Sequence, residues 1–217
     1  MYEKPFNILE VETRFLILDD KPFSTLESKI TQYLDARKIR SLRPATDLYF
    51  DPSEDFSTSK RNGQFQRLRN HVVYENGIPS VKQTKQTKKW KTPAKNKYGI
   101  KPWLETQNHA VRDLNEEIEK LTKKGYHFLN VHGDRNEYST NFRDLTLQIC
   151  FDRMLSPKGA YVEIGTEREV EKSDVENVIK NNTSIIADFI DAELKKLSDN
   201  LGVETKIEPI YPLILLE

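Results

Sequence analysis

Glu10, Glu12 and Arg14 stand at alternate positions of the run Ile8-Leu9-Glu10-Val11-Glu12-Thr13-Arg14-Phe15-Leu16-Ile17. The run is dense in β-branched and aromatic residues and free of Gly and Pro, which predicts a strand. Side chains alternate faces along a strand, so Glu10, Glu12 and Arg14 share one face while Val11, Thr13 and Phe15 share the other. Two carboxylates and a guanidinium in one row can hold a hard cation and an anion together. The same row also describes a solvated strand face whose charges pair with neighbours. A function therefore needs more strands carrying charges of this kind.

Such strands follow. Residues 64–69 place Phe65, Arg67 and Arg69 on one face, and a hairpin at Asn76-Gly77 leads into residues 80–88. There Lys82, Thr84, Gln86 and Lys88 take one face and Gln83, Lys85 and Thr87 the other. Eight lysines and no acid lie between Lys82 and Lys101, either a solvated edge guarded against aggregation or a polyanion contact. Residues 100–110 carry Glu105, residues 126–131 and 134–140 carry Arg135 and Tyr138, residues 145–153 carry Asp152, and residues 159–165 carry Glu163.

Helices must flank these strands. Ser24-Thr25-Leu26-Glu27 and Ser173-Asp174-Val175-Glu176 have the capping-box pattern. Leu26, Ile30, Leu34 and Ile39 predict an amphipathic helix over about 25–39. Val111, Leu114, Ile118 and Leu121 form a second stripe, stopped by Gly125. Ile186, Phe189, Ile190, Leu194, Leu197 and Leu201 form a third, with a break expected at Asn181-Asn182, and the apolar tail around Tyr211 is expected to dock on the core. A short strand at 46–51 stops at Pro52.

Composition narrows the classes. A chain of 217 residues that is 36% hydrophobic can bury a sizeable core, and no composition break divides it, so residues 1–217 are expected to form one domain. Charged residues reach 31% but balance at 34 basic and 34 acidic, so no global field selects a partner. No apolar run is long enough to span a bilayer and no signal peptide is expected. The single cysteine, Cys150, suits a reducing cytoplasm. Four scattered histidines give no zinc spacing, so a metal here would take oxygen ligands, as Mg²⁺ or Mn²⁺ does. Two arrangements fit the charged strands: a sandwich with charges facing water, or a closed barrel with the charged face inward, roomy enough for one small ligand. Spacing alone does not choose.

The motifs, taken in order, resemble one family. Glu10-Val-Glu12-Thr-Arg14 is similar to the Glu-x-Glu-x-Lys signature of the CYTH, or triphosphate tunnel metalloenzyme, superfamily, with Arg for the final Lys. Asp47-Leu-Tyr49-Phe50-Asp51 resembles its Asp-Thr-Tyr-Tyr-Asp strand, Arg67-Leu68-Arg69 its Leu-Arg-x-Arg strand, and residues 81–88 its lysine strand. Arg135-x-x-Tyr138, Cys150-Phe151-Asp152, Tyr161-Val162-Glu163-Ile164 and the tail at Tyr211 match later elements. The resemblance runs through essentially the whole chain. It departs at Gly165, where the family has a second Glu that Glu167 could replace. It departs again at Glu105-Thr106-Gln107, where Glu-x-Glu is usual, and at Trp103, where an Arg often stands.

The resemblance implies an α+β fold, a closed antiparallel eight-stranded β-barrel or tunnel with helices packed outside. It implies a triphosphate cradled by Arg14, Arg67, Arg69, Arg135 and a lysine of the 81–88 strand, Lys82 or Lys85. Glu10, Glu12 and Glu163, with Asp152 and Glu167, would hold Mg²⁺ or Mn²⁺, making Glu10, Glu12 and Arg135 the catalytic set. The implied activity is metal-dependent hydrolysis of inorganic, nucleoside or thiamine triphosphate or an RNA 5′ end. A class IV adenylyl cyclase and a non-catalytic polyphosphate-binding protein are the alternatives. The oligomeric state, homodimer included, is left open.

Overall fold

The computed structural model describes residues 8–18, 23–91, 98–105, 109–156, 158–194, 196, 199–200, 202 and 205–207. Its elements in chain order are β1 (Ile8–Ile17), α1 (Phe23–Tyr33), β2 (Arg37–Asp51), α2 (Ser57–Asn62), β3 (Gln64–Glu75), β4 (Ile78–Lys91) and β5 (Lys101–Glu105). Then come β6 (His109–Ala110), α3 (Leu114–Lys123), β7 (His127–Phe142), β8 (Leu145–Ser156), β9 (Lys158–Glu169), α4 (Val175–Phe189) and β10 (Thr205–Ile207). A π-helical turn, Ile190–Leu194, continues α4.

Eight strands run in the order β1-β5-β4-β3-β2-β7-β8-β9, every pair antiparallel, and β9 pairs back onto β1 to close the barrel. The short strands β6 and β10 pair with β4 and β1 along the same edges as β5, in line with it. The expected tunnel fold is therefore the fold observed.

Alternation along the strands sorts the chemistry. Leu9, Val11 and Phe15 of β1, Leu147, Ile149 and Phe151 of β8, and Val162 and Ile164 of β9 point outward. There they pack beneath Leu26, Ile30 and Leu34 around α1 and Val175, Ile186 and Phe189 of α4. On the other flank Leu48, Phe50 and Leu68 meet Leu121 of α3, joined by Val111, Leu114 and Ile118. The main apolar cores thus lie outside the barrel, under helices, and free the inward face for charge. No described helix is long and apolar enough to cross a membrane.

Several local expectations need correction. The first helix ends at Tyr33: Asp35 turns the chain at a φ of 47°, and Ile39 belongs to β2, where it is half exposed. Ser24 lies inside α1, and the Glu27 carboxylate accepts from Tyr138 Oη at 2.6 Å and Asn136 Nδ2 at 3.1 Å instead of capping. Asp174 precedes α4 with no side-chain cap bond, and the helix runs unbroken through Asn181-Asn182, Asn182 being buried. The strand at 46–51 is the end of a longer one. Residues 127–131 and 134–140 fall on the single strand β7, whose register shifts against β8 at His132/Gly133 and against β2 beside Gly133. A β-carbon on Gly133 would lie 2.6 Å from the Arg153 carbonyl oxygen, so the shift brings two backbones too close for a side chain. The tail around Tyr211, Leu201 and the side chains of Leu194 and Leu197 lie outside the described residues.

Candidate active site

Ten of the predicted site residues meet in one place. Glu10, Glu12, Arg14, Arg67, Arg69, Lys85, Arg135, Asp152, Glu163 and Glu167 all line a cavity of about 290 Å³ inside the barrel. The side chain of Lys82 lies outside the described residues, as does Gln107.

On the wall formed by β1, β9 and β5 the acids converge. One carboxylate oxygen from each of Glu10, Glu12 and Glu163 lies within 4.8 Å of the others. Two oxygens on a single hard cation stand at most two bond lengths apart, roughly 4–5 Å, so this spacing fits one shared ion. Glu12 is only 3% exposed, and its Oε1 has no hydrogen-bond partner. Burial, and then the charges of Glu10 and Glu163, push its carboxyl well above the usual range. A buried carboxyl in that state either keeps a proton or gains a cation. The donor set therefore suits Mg²⁺ or Mn²⁺.

Asp152 and Glu167 stand outside that trio. Asp152 accepts from Arg135 Nε and Nη2, both at 2.7 Å, and from Arg14 Nη2 at 2.9 Å. Glu167 sits opposite Glu10 on the β1–β9 ladder, nearer the exposed end of β9. Gly165 lies opposite Glu12, and a β-carbon there would come within 2.8 Å of both the Glu12 β-carbon and the Val11 carbonyl oxygen. The close approach of β1 and β9 leaves that position no room for a carboxylate.

The cations have their own wiring. Arg14 Nη2 also reaches Glu163 at 2.9 Å, and its guanidinium lies 5.3 Å from the centre of the Tyr161 ring. Glu163 is desolvated, yet Arg135 and Arg14 outweigh that and hold its carboxyl below the usual range. Across the lumen Arg69 makes a two-pronged contact with Asp47, at 2.7 and 2.6 Å, and Arg67 Nη1 stands 3.7 Å from the same carboxylate. Arg67 Nε is buried with no partner, a donor directed at nothing in the protein.

Lys89 is the residue that sequence reasoning missed. It is buried, and its ammonium bridges Glu10 and Glu105. Burial raises the Glu10 carboxyl, but Lys89 more than offsets this and holds it at about 2. Burial pushes Glu105 up to about 8 against the pull of Lys89. The signal was present, because Lys85, Thr87 and Lys89 share one strand parity and all line the cavity. Asp47 and Glu137 were also passed over as site groups. Tyr138, of opposite strand parity to Arg135, faces α1 and donates to Glu27.

Seven guanidinium or ammonium groups and nine carboxyl groups line the cavity. A polyanion entering this lumen meets dense donors, yet its charge is balanced only if further cations enter with it.

No family model matches the chain, and no curated protein matches it. Solved structures do. The PH1819 protein of Pyrococcus horikoshii OT3 is 23% identical at a TM-score of 0.61, over 95% of this chain and 97% of that one. The PH1012 protein of the same organism is 18% identical at 0.57, over 96% and 99%. A conserved hypothetical protein of Pyrococcus furiosus is 15% identical at 0.55, over 94% and 98%. The chain shares its fold with these three proteins along nearly the whole length of each.

Proposed function

We propose that this barrel is a metal-dependent enzyme that hydrolyses a triphosphate group held in its lumen. The observation that carries the reading is the facing of two sets of groups: the Glu10, Glu12 and Glu163 trio on one wall, and Arg67, Arg69 and Arg135 around it in the same cavity. The resemblance of the motifs to triphosphate tunnel metalloenzymes supports the same reading.

The residues divide the work. Arg67, Arg69, Arg135 and Arg14 bind the phosphate oxygens with charge-assisted hydrogen bonds, and Arg67 Nε is a donor available without breaking an existing bond. Asp47 and Asp152 hold Arg69 and Arg135 in place beforehand, so little reorganisation accompanies binding. Glu10, Glu12 and Glu163 are the residues that would hold Mg²⁺ or Mn²⁺, with Glu12 binding it as the ionised carboxylate. The bound ion supplies charge neutralisation of phosphate oxygens and a more acidic water. Lys89 keeps Glu10 ionised and adds a cation beside the site. Attack by water in line on the terminal phosphorus needs no covalent protein nucleophile.

The test is a panel of inorganic, nucleoside, thiamine and RNA 5′ triphosphates with Mg²⁺ or Mn²⁺, with products resolved. Orthophosphate release that stops in excess EDTA is expected. Pyrophosphate with a cyclic nucleotide would assign a cyclase, binding without turnover a binding protein, and turnover undiminished by chelation would overturn the metal site.

A further inference from the structure

The lumen is charged along most of its length, but not at one end. Leu16 of β1, Tyr49 of β2, Leu129 and Val131 of β7, Met154 of β8 and Tyr161 of β9 all have the strand parity of the inward charged residues. They sit beyond those residues toward the same end of the barrel. Tyr49, Val131 and Met154 floor the cavity. Packed against this set is Phe56, only 2% exposed, although it belongs to no strand.

Phe56 is held there by its own loop. It has a φ of 56°, a conformation bulky residues avoid and keep only where the surroundings impose it. Those surroundings are visible. Asp51, fully buried, accepts from Ser53 N at 2.6 Å, Ser53 Oγ at 2.5 Å and Ser59 N at 2.5 Å. Phe56 N donates to the Ser53 carbonyl at 3.1 Å, and Thr58 N donates to Ser53 Oγ at 3.0 Å. None of these groups touches the charged site. The network folds residues 52–63, α2 included, over the barrel end and packs one aromatic ring against it. Toward the other end the described lining is mostly polar, Arg40, Lys85, Glu137, Gln148 and Glu167 beside Leu42, with Glu167 exposed and the Arg40 side chain 42% exposed.

We propose that Phe56, with Tyr49 and Tyr161, is a specificity-determining stop that makes the lumen a blind pocket. The pocket then takes only a phosphate chain with a free terminus, admitted past Arg40 and Lys85, with the terminal phosphate halted at the apolar floor. A chain esterified at both ends has no terminus to seat, because one organic group would have to pass the stop. The inference rests on the triphosphate reading and adds to it the direction of entry and the end chemistry of the substrate.

Calorimetry on the full chain with Mg²⁺ separates the two. The probes are inorganic triphosphate, ATP and P1,P3-diadenosine triphosphate, which carries three phosphates and no free terminus. The wild-type protein is expected to bind the first two and to bind the doubly esterified ligand at least about a hundredfold more weakly. Phe56→Ala is expected to narrow that gap at least tenfold, and Phe56→Leu, which keeps an apolar stop, to leave it. Wild-type affinity for the dinucleotide equal to that for ATP overturns the stop alone, whether or not Phe56→Ala folds. Failure of inorganic triphosphate and ATP to bind overturns the underlying reading, and the stop with it. A folded Phe56→Ala that discriminates like wild type assigns the exclusion elsewhere and overturns the role of Phe56.

Discussion

Two walls of one lumen solve opposite electrostatic problems. On the β2–β3 wall both cations already lean on one carboxylate: Arg69 is clamped by Asp47, and Arg67 stands beside it. On the β1–β9 wall three carboxylates crowd within 4.8 Å, and Glu12 Oε1 is buried with nothing to bond. The first wall is held in place by the protein itself, with only the Arg67 Nε donor left open. The second is complete only with something that is not protein. A fold selected for stability alone would spread those acids or neutralise them, so their convergence is where function has overridden stability.

Asp47→Asn tests the self-sufficient wall and should have the largest effect on stability. It leaves Arg69 and Arg67 buried beside a neutral amide, and breaking a buried pair in this way costs about 3–5 kcal/mol. Chemical denaturation should report that loss, and added triphosphate should recover more of it than in the wild type. An unchanged midpoint would mean that the guanidiniums reach water and that the two walls do not differ in kind.

Arg69→Ala asks what the same wall binds. Triphosphate affinity should fall by about 1.5–3 kcal/mol, the usual worth of hydrogen bonds to charged groups. Monophosphate affinity should fall less, since the smaller ligand spans fewer donors. Equal losses in a titration would show that the pair does not read the phosphate chain.

The smallest effect is a pH dependence on the acid wall. Glu105 has its carboxyl raised by burial from 4.5 to about 8. Between those values the folded chain keeps a proton that the unfolded chain has released. The contribution to stability is therefore full below pH 4.5 and is lost as pH rises through 8. The melting temperature of metal-free protein should fall on going from pH 5 to 8.5, and Glu105→Gln should flatten that slope. A slope identical in the variant would place the proton on another group.

Most of the barrel was legible because alternation is a local property. Glu10, Glu12 and Arg14 had to share a face wherever β1 ended up, and so did Arg67 and Arg69. Whether that face pointed inward was not legible, since it depends on β9 closing onto β1, a pairing between residues some 150 positions apart. Lys89 was hidden among many lysines whose correct parity was written in Lys85. Asp47 was hidden because its partner, Arg69, lies on the next strand. Helix α1 was drawn too long because Ile39 continued the apolar count, while the chain reversal at Asp35 left no mark in that pattern. The stop at Phe56 left none either, as its position depends on hydrogen bonds that Asp51 makes only once the loop is folded.

Glu12→Gln gives the most direct test of the unfinished wall. Melting temperature and turnover should be measured on one preparation with Mg²⁺ present. Removing one carboxylate from a crowded trio should leave the melting temperature unchanged or raise it, while turnover falls by at least about a hundredfold as the ion loses a ligand. A folded Glu12→Gln protein with wild-type turnover would contradict the account, because Glu12 would then be an ordinary buried strand residue and the trio would hold nothing that matters to catalysis.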